Sequence, residues 1–157
     1  MKVEYLNPFL KSTVETFRIM VDIPITLGNI YLLKEPNKTD ISSLLEFSGD
    51  IRGKVAMLYT LDVALKISSK FLGEKITELN EDVADSIREI TNIIAGSAKK
   101  YMPALHWTLS LPSIVRGPSK ILEGRREVPV ICVPFHSEIG SFIMEAKISH
   151  GRSLLDD

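Results

Sequence analysis

The sequence predicts an α+β fold in which helices pack on one largely antiparallel sheet. Three observations lead there. Three segments repeat apolar residues at helical spacing, each bounded by capping or breaking residues. The other apolar runs are short, rich in branched and aromatic residues, and separated by Gly, Pro and polar turns. The last two of them, VPVICVPF and GSFIMEAKIS, are joined by HSEI alone, as an antiparallel pair would be.

The first helix is expected to start at Asn7-Pro8, where Asn caps and Pro suits the first turn. Phe9, Leu10, Val14, Phe17, Met20 and Val21 carry it to about Val21, and Pro24 then ends it. ITLGNIYLL reads as extended, and residues 34–43, KEPNKTDISS, as a polar loop. Leu44–Phe47 and Lys54–Thr60 flank SGDIRG and read as a hairpin. KVAMLYT is apolar almost throughout, as expected of a strand covered on both faces, with a buried helix segment as the alternative. Thr60 and Asp62 open a second helix, with Val63, Ala64, Ile67 and Phe71 facing inward and Gly73 as its stop. The longest helix runs from about Asn80 to about Lys100, and Pro103 lies just past its end. WTLSLPSIVRG is one extended segment interrupted by Pro112. No repeat, low-complexity tract or linker divides the chain, so residues 1–157 read as a single domain.

Composition excludes several function classes. A net charge of −1 gives no electrostatic reason to bind nucleic acid or an anionic membrane surface. The apolar fraction, 45%, is too high for a disordered chain. The start, MKVEYLNPFL, lacks the apolar block of a signal peptide, and no apolar run approaches the roughly 20 residues needed to span a bilayer. A lone cysteine, Cys132, rules out an internal disulfide framework. These features point to the cytoplasm. His106, His136 and His150 show no metal-ligand spacing with Cys132 or a carboxylate pair, so no metal site is assigned. Cys132 reads as a small buried hydrophobe, and Arg125-Arg126 as a solvated turn.

The long helix raises a sharper question. At about 100° per residue, Val83, Ile87, Ile90, Ile94 and Ala98 form a narrow core stripe. Asp85, Glu89, Asn92 and Gly96 form an equally narrow line on the opposite side. A polar line opposite a core stripe is what any amphipathic helix has. Two details set this one apart. Asn92 is a poor helix former for an exposed interior position. Gly96 costs up to about 1 kcal/mol relative to Ala and clears space for another backbone. An acidic, amide-bearing strip with a cleared end has the character of a docking face.

The pattern D-x-x-x-E-x-x-N, written here as Asp85-SIR-Glu89-IT-Asn92, resembles the signature of the CheC/CheX/FliY family of chemotaxis phosphatases. The resemblance continues into NIIAG, into LSLPSIVRG and into GKVAMLYTLDVALKIS, and so spans most of the chain. It implies a CheC/CheX-like α/β sandwich and hydrolysis of the aspartyl phosphate of a CheY-type response regulator. It further implies that Asn92 orients the attacking water, as an amide that both donates and accepts is suited to do. Glu89 would pair with the regulator's active-site lysine, Asp85 would support the rim, and Gly96 would complete the binding face. The chain would need no cofactor of its own, since the Mg²⁺ belongs to the regulator's site.

Some relatives carry a second motif on the first helix. Here that helix reads KSTVETFR, in which Glu15 stands for the acid but Arg18 occupies the asparagine position. One active helix per chain resembles CheX more than CheC. Thr91 stands where relatives often have glycine. The resemblance to CheX also implies a homodimer, with apolar strands such as VAMLYT, VPVICVPF and SFIMEA as the source of an edge that invites pairing. The rival reading is a non-catalytic binding or scaffold module of the chemotaxis and flagellar switch system. The intact Glu89 and Asn92 favour the enzyme.

Overall fold

The computed structural model of the protein describes residues 3–121 and 128–151. Among them the chain forms α1 (Val3–Thr16), a π-helical turn (Phe17–Val21), β1 (Thr26–Leu27), β2 (Tyr31–Leu32), β3 (Ile41–Gly49), β4 (Ile51–Tyr59), α2 (Leu61–Leu72), α3 (Glu81–Lys100), β5 (Trp107–Leu109), β6 (Ser113–Arg116), β7 (Ile131–Ser137) and β8 (Gly140–His150). The strands form one sheet in the order β1-β7-β8-β4-β3-β5, with β2 also on β7 and β6 also on β3. Every pairing is antiparallel. This is the α+β architecture the sequence predicts.

Strand alternation separates two apolar clusters. Val55, Met57 and Tyr59 of β4 point with Phe142, Met144 and Ala146 of β8 into the main core, under the helices. Ala56 and Leu58 point the other way, into a smaller cluster with Ile121, Val130 and Cys132. β4 is thus covered on both faces, as its continuous apolar run implies. The core stripe of α3 lies in the main cluster: Val83, Ile87, Ile90 and Ala98 are fully buried, and Ile94 nearly so. Each such isoleucine contributes on the order of 1.5–3 kcal/mol through its burial.

Helix ends follow local chemistry. Thr60 caps α2 by accepting from the Val63 N–H at 3.5 Å, and Gly73 ends it in the left-handed region at φ 71°. Asn80 caps α3 by accepting from the Val83 N–H at 3.1 Å. Glu81 and Asp82 in its first turn and Lys99 and Lys100 in its last complement the helix dipole. No described helix is long and apolar enough to cross a membrane.

Several expectations need correction. α1 extends back to Val3, with Pro8 inside it rather than at its start. Near a helix start proline removes one hydrogen bond, and burial of Tyr5 and Leu6 against the core outweighs that loss. The first helix also does not continue regularly to Val21. It widens into the π-helical turn, and Asp22 closes it with φ 61°. The polar loop is shorter than expected, because Ser42 and Ser43 are buried residues of β3. The apolar strands expected to supply an open edge are interior. β4 lies between β3 and β8, β8 between β7 and β4, and β7 is bordered by β1 and β2. The outer positions are held by the broken pairs β1/β2 and β5/β6. Arg125-Arg126 lies outside the described residues.

Candidate functional site

α3 packs beside both α1 and α2, with its polar line facing outward. Asp85, Glu89, Asn92 and Gly96 are all exposed. At about 1.5 Å rise per residue, the line from Asp85 to Gly96 covers about 16 Å of one helix face. Among the described residues, neither the Glu89 carboxylate nor the Asn92 amide has a hydrogen-bond or ion-pair partner. Both are therefore available to an incoming molecule. A Cβ added at Gly96 meets nothing within 4 Å. Packing inside this chain therefore does not call for glycine there.

The neighbours of the line are engaged. Arg88 Nη1 donates to Asp85 Oδ1 at 2.6 Å, an ion pair with i,i+3 spacing. Thr91, next to Asn92, is buried. Its hydroxyl donates to the Ile87 carbonyl at 3.0 Å and bonds the hydroxyl of Ser43 on β3. Sequence reasoning left Thr91 without a role, and the structure makes it the polar anchor of α3 on the sheet.

The incomplete motif on α1 is placed differently. Tyr101 Oη donates to Glu15, 2.8 Å from Oε1 and 2.7 Å from Oε2. The Lys11 ammonium lies 4.3 Å from the Tyr101 ring centroid. That hydrogen bond to Glu15 holds the Tyr101 hydroxyl above its usual pKa. The helix then changes to π geometry at Phe17, so Glu15 and Arg18 straddle two different helical pitches. The Glu15 frame thus has arginine in place of the amide and has its acid occupied.

A second polar cluster lies on the sheet face away from the helices. Glu145 of β8 is 1% exposed. Its carboxylate accepts from Asn37 Nδ2 at 2.7 Å and from Ser119 Oγ at 2.9 Å. Burial pushes its pKa up, and the two hydrogen bonds oppose that. Asn37 also accepts from Tyr31 Oη at 2.7 Å and lies 3.4 Å from Cys132 Sγ. Burial raises the Cys132 thiol too, which suits a structural role and not a nucleophile. The histidines are dispersed. His136 Nδ1 pairs with Ser141 Oγ at 2.8 Å, His150 pairs with Tyr5 Oη, and His106 is exposed at the start of β5.

Comparison with known proteins bears on the same helix. Residues 41–136, which contain α3, match the family model for the chemotaxis phosphatase CheX. The fold is similar to the CheX crystal structure from Vibrio vulnificus, at 29% identity and TM-score 0.83, covering 93% of this chain and 99% of that one. It is similar to CheX from Desulfovibrio desulfuricans at 26% identity and TM-score 0.83, again covering 93% and 99% of the two chains. It also shares its fold with the CheX of a CheX–CheY–BeF₃–Mg²⁺ complex from Borrelia burgdorferi, at 21% identity and TM-score 0.78, covering 95% of this chain and 100% of that one. Among curated protein sequences none matches this chain. The family match takes in more than half the chain, includes the whole of α3 and agrees with the fold, so the chain belongs to the CheX family of chemotaxis phosphatases.

Proposed function

We propose that this protein hydrolyses the aspartyl phosphate of a CheY-type response regulator, using the outward face of α3. The observation that carries this reading is the pair Glu89 and Asn92, one helical turn apart, both exposed and both without an intramolecular partner among the described residues. Phosphoryl transfer asks a protein mainly for positioning and charge stabilisation. In this reading Asn92 enters the regulator's site and holds a water in line with the leaving oxygen, its carbonyl accepting and its amide donating. Glu89 pairs with the regulator's active-site lysine and fixes where the helix sits. Asp85 stands at the rim, and Gly96 lets the regulator's backbone approach. The Mg²⁺ belongs to the regulator, and this chain supplies no cofactor. We further propose that the protein works in the cytoplasm as a symmetric homodimer, with one regulator site on each α3.

The direct experiment is phosphate release from a panel of phosphorylated regulators, with and without the protein, and with its Asn92→Ala variant. Acceleration by the unsubstituted protein is expected, with most of it lost in Asn92→Ala. Asn92 is exposed, so truncation opens no cavity and the fold is retained. A variant keeping half or more of the turnover removes Asn92 from the water-positioning role. No acceleration of any regulator by the unsubstituted protein overturns the reading.

A further inference from the structure

Three places where an acid is followed three residues later by a polar side chain bear on the docking motif: Glu15 with Arg18, Asp85 with Arg88, and Glu89 with Asn92. The structure treats the three acids differently. Glu15 is bonded by Tyr101, and Asp85 by Arg88 at 2.6 Å. Glu89 has no partner among the described residues. The acid left open is the one that precedes an amide.

The second frame matters most, because it is the third shifted by four residues on the same helix. Four residues is slightly more than one turn, about 6 Å along the axis and about 40° around it. A cation approaching the face of α3 therefore meets two carboxylates in nearly the same orientation. If it pairs with Asp85, Arg88 stands where Asn92 is needed. That docked state has no amide to position a water. Glu81 and Asp82 do not create the same ambiguity. They lie two turns from Glu89, and the residues three positions after them are the buried Ala84 and the acidic Asp85.

Resting on the phosphatase reading, we infer that Arg88 is a positioning residue that acts through Asp85. Its guanidinium neutralises that carboxylate, so that the regulator's lysine pairs with Glu89 and the helix docks in a single register. The pair also offsets the repulsion that Asp85 exerts on Glu89 at i,i+4. Arg88 is suited to the task because its side chain is part-buried at the edge of the face, with 40% exposure against 65% for Asp85. Its charge is held beside Asp85 and away from the open end at Gly96.

The test is steady-state kinetics of Arg88→Ala, of Asp85→Asn and of the double variant Arg88→Ala/Asp85→Asn, on the regulator that the unsubstituted protein dephosphorylates. Unproductive docking lowers kcat and KM by the same factor and leaves kcat/KM unchanged. That factor is about twofold if the two carboxylates attract the lysine equally, and larger if Asp85 is preferred. Removing the freed carboxylate in the double variant is expected to return both constants to those of the Asp85→Asn single variant, which carries the loss of the rim contact alone. A rise in KM at constant kcat would instead mean that Arg88 contacts the regulator directly, and it overturns the inference. So does a lowered Tm with unchanged kinetics, which is the signature of a helix-stabilising pair and nothing more. A paired fall that Asp85→Asn does not reverse overturns it as well. These three outcomes leave the phosphatase reading standing, whereas an unsubstituted protein that releases no phosphate overturns both.

Discussion

Thr91 of α3 and Ser43 of β3 join helix to sheet through a buried bond between their hydroxyls. The Thr91 proton goes to the Ile87 carbonyl at 3.0 Å, so Ser43 supplies the proton between the two. This bond fixes the rotation of α3 on the sheet at the residue preceding Asn92. Thr91→Val keeps the shape but leaves the Ser43 hydroxyl buried and unpaired. Stability should fall by about 1–3 kcal/mol, and adding Ser43→Ala should recover part of that loss. Urea denaturation of the two variants measures both effects. An unchanged midpoint for Thr91→Val would show that the hydroxyl pair does not anchor the helix.

Glu89→Ala should weaken regulator binding as well as turnover, because an interfacial ion pair acts in the ground state too. Truncating one partner of a buried charge pair costs about 2–5 kcal/mol. Titration with a regulator carrying a phosphoryl analogue reads the difference. Equal affinity of variant and unsubstituted protein would exclude a Glu89–lysine pair.

Gly96→Ala separates folding from docking. The added methyl meets no atom within 4 Å, so the helix should gain about 0.5–1 kcal/mol. The same methyl projects from the docking face, so affinity for the regulator should drop. Thermal unfolding and titration are measured on one preparation. A more stable variant with undiminished affinity would place Gly96 outside the interface.

Glu145 sets a pH dependence of stability. Burial raises its folded pKa above that of the unfolded chain, with Asn37 and Ser119 hydrogen bonds acting the other way. The native state therefore holds the extra proton between those two values. The stabilising contribution is fully present below the ordinary carboxylate pKa and is lost as pH rises through the raised one. Tyr31 and Cys132, whose own pKa values are raised, remain neutral there. Glu145→Gln retains an acceptor for Asn37 and can donate to Ser119, without titrating. Relative to the unsubstituted protein, it should gain stability steadily as pH rises from the ordinary carboxylate pKa through the raised one. Denaturant midpoints across that range test this, and a gap that stays constant with pH would refute it.

The proposed dimer should pair through the β1/β2 edge. Leu27, Ile30, Tyr31 and Leu32 are exposed there, 39–53% each, beside backbone groups at the margin of the sheet. Sedimentation equilibrium at micromolar concentration should give about 35 kDa, twice the 17.6 kDa of one chain. Leu32→Lys should shift it toward the monomer. A single 17.6 kDa species for the unsubstituted protein would exclude a stable dimer.

Local chemistry was enough to read much of this molecule. Asn80, Thr60 and Gly73 mark helix ends because caps and left-handed stops act over a few residues. The stripe from Val83 to Ala98 and the opposite line from Asp85 to Gly96 follow from helical periodicity alone. The hairpin of β7 and β8 was legible for the same reason. What the sequence left open depends on residues distant in the chain. α1 begins before Pro8 because Tyr5 and Leu6 are buried against distant parts of the fold. VAMLYT, VPVICVPF and SFIMEA turned out to be interior strands because strand order is decided by pairing across the whole chain. Thr91 acquires its role from Ser43, 48 positions away, and Glu15 is occupied by Tyr101, 86 positions away. The sequence by itself therefore determined which residues the outer face of α3 presents. Tertiary structure decided that Glu15 is engaged by Tyr101 and that Thr91 is anchored to Ser43, because a side chain's distant partner is set by whatever group the fold brings within hydrogen-bond reach.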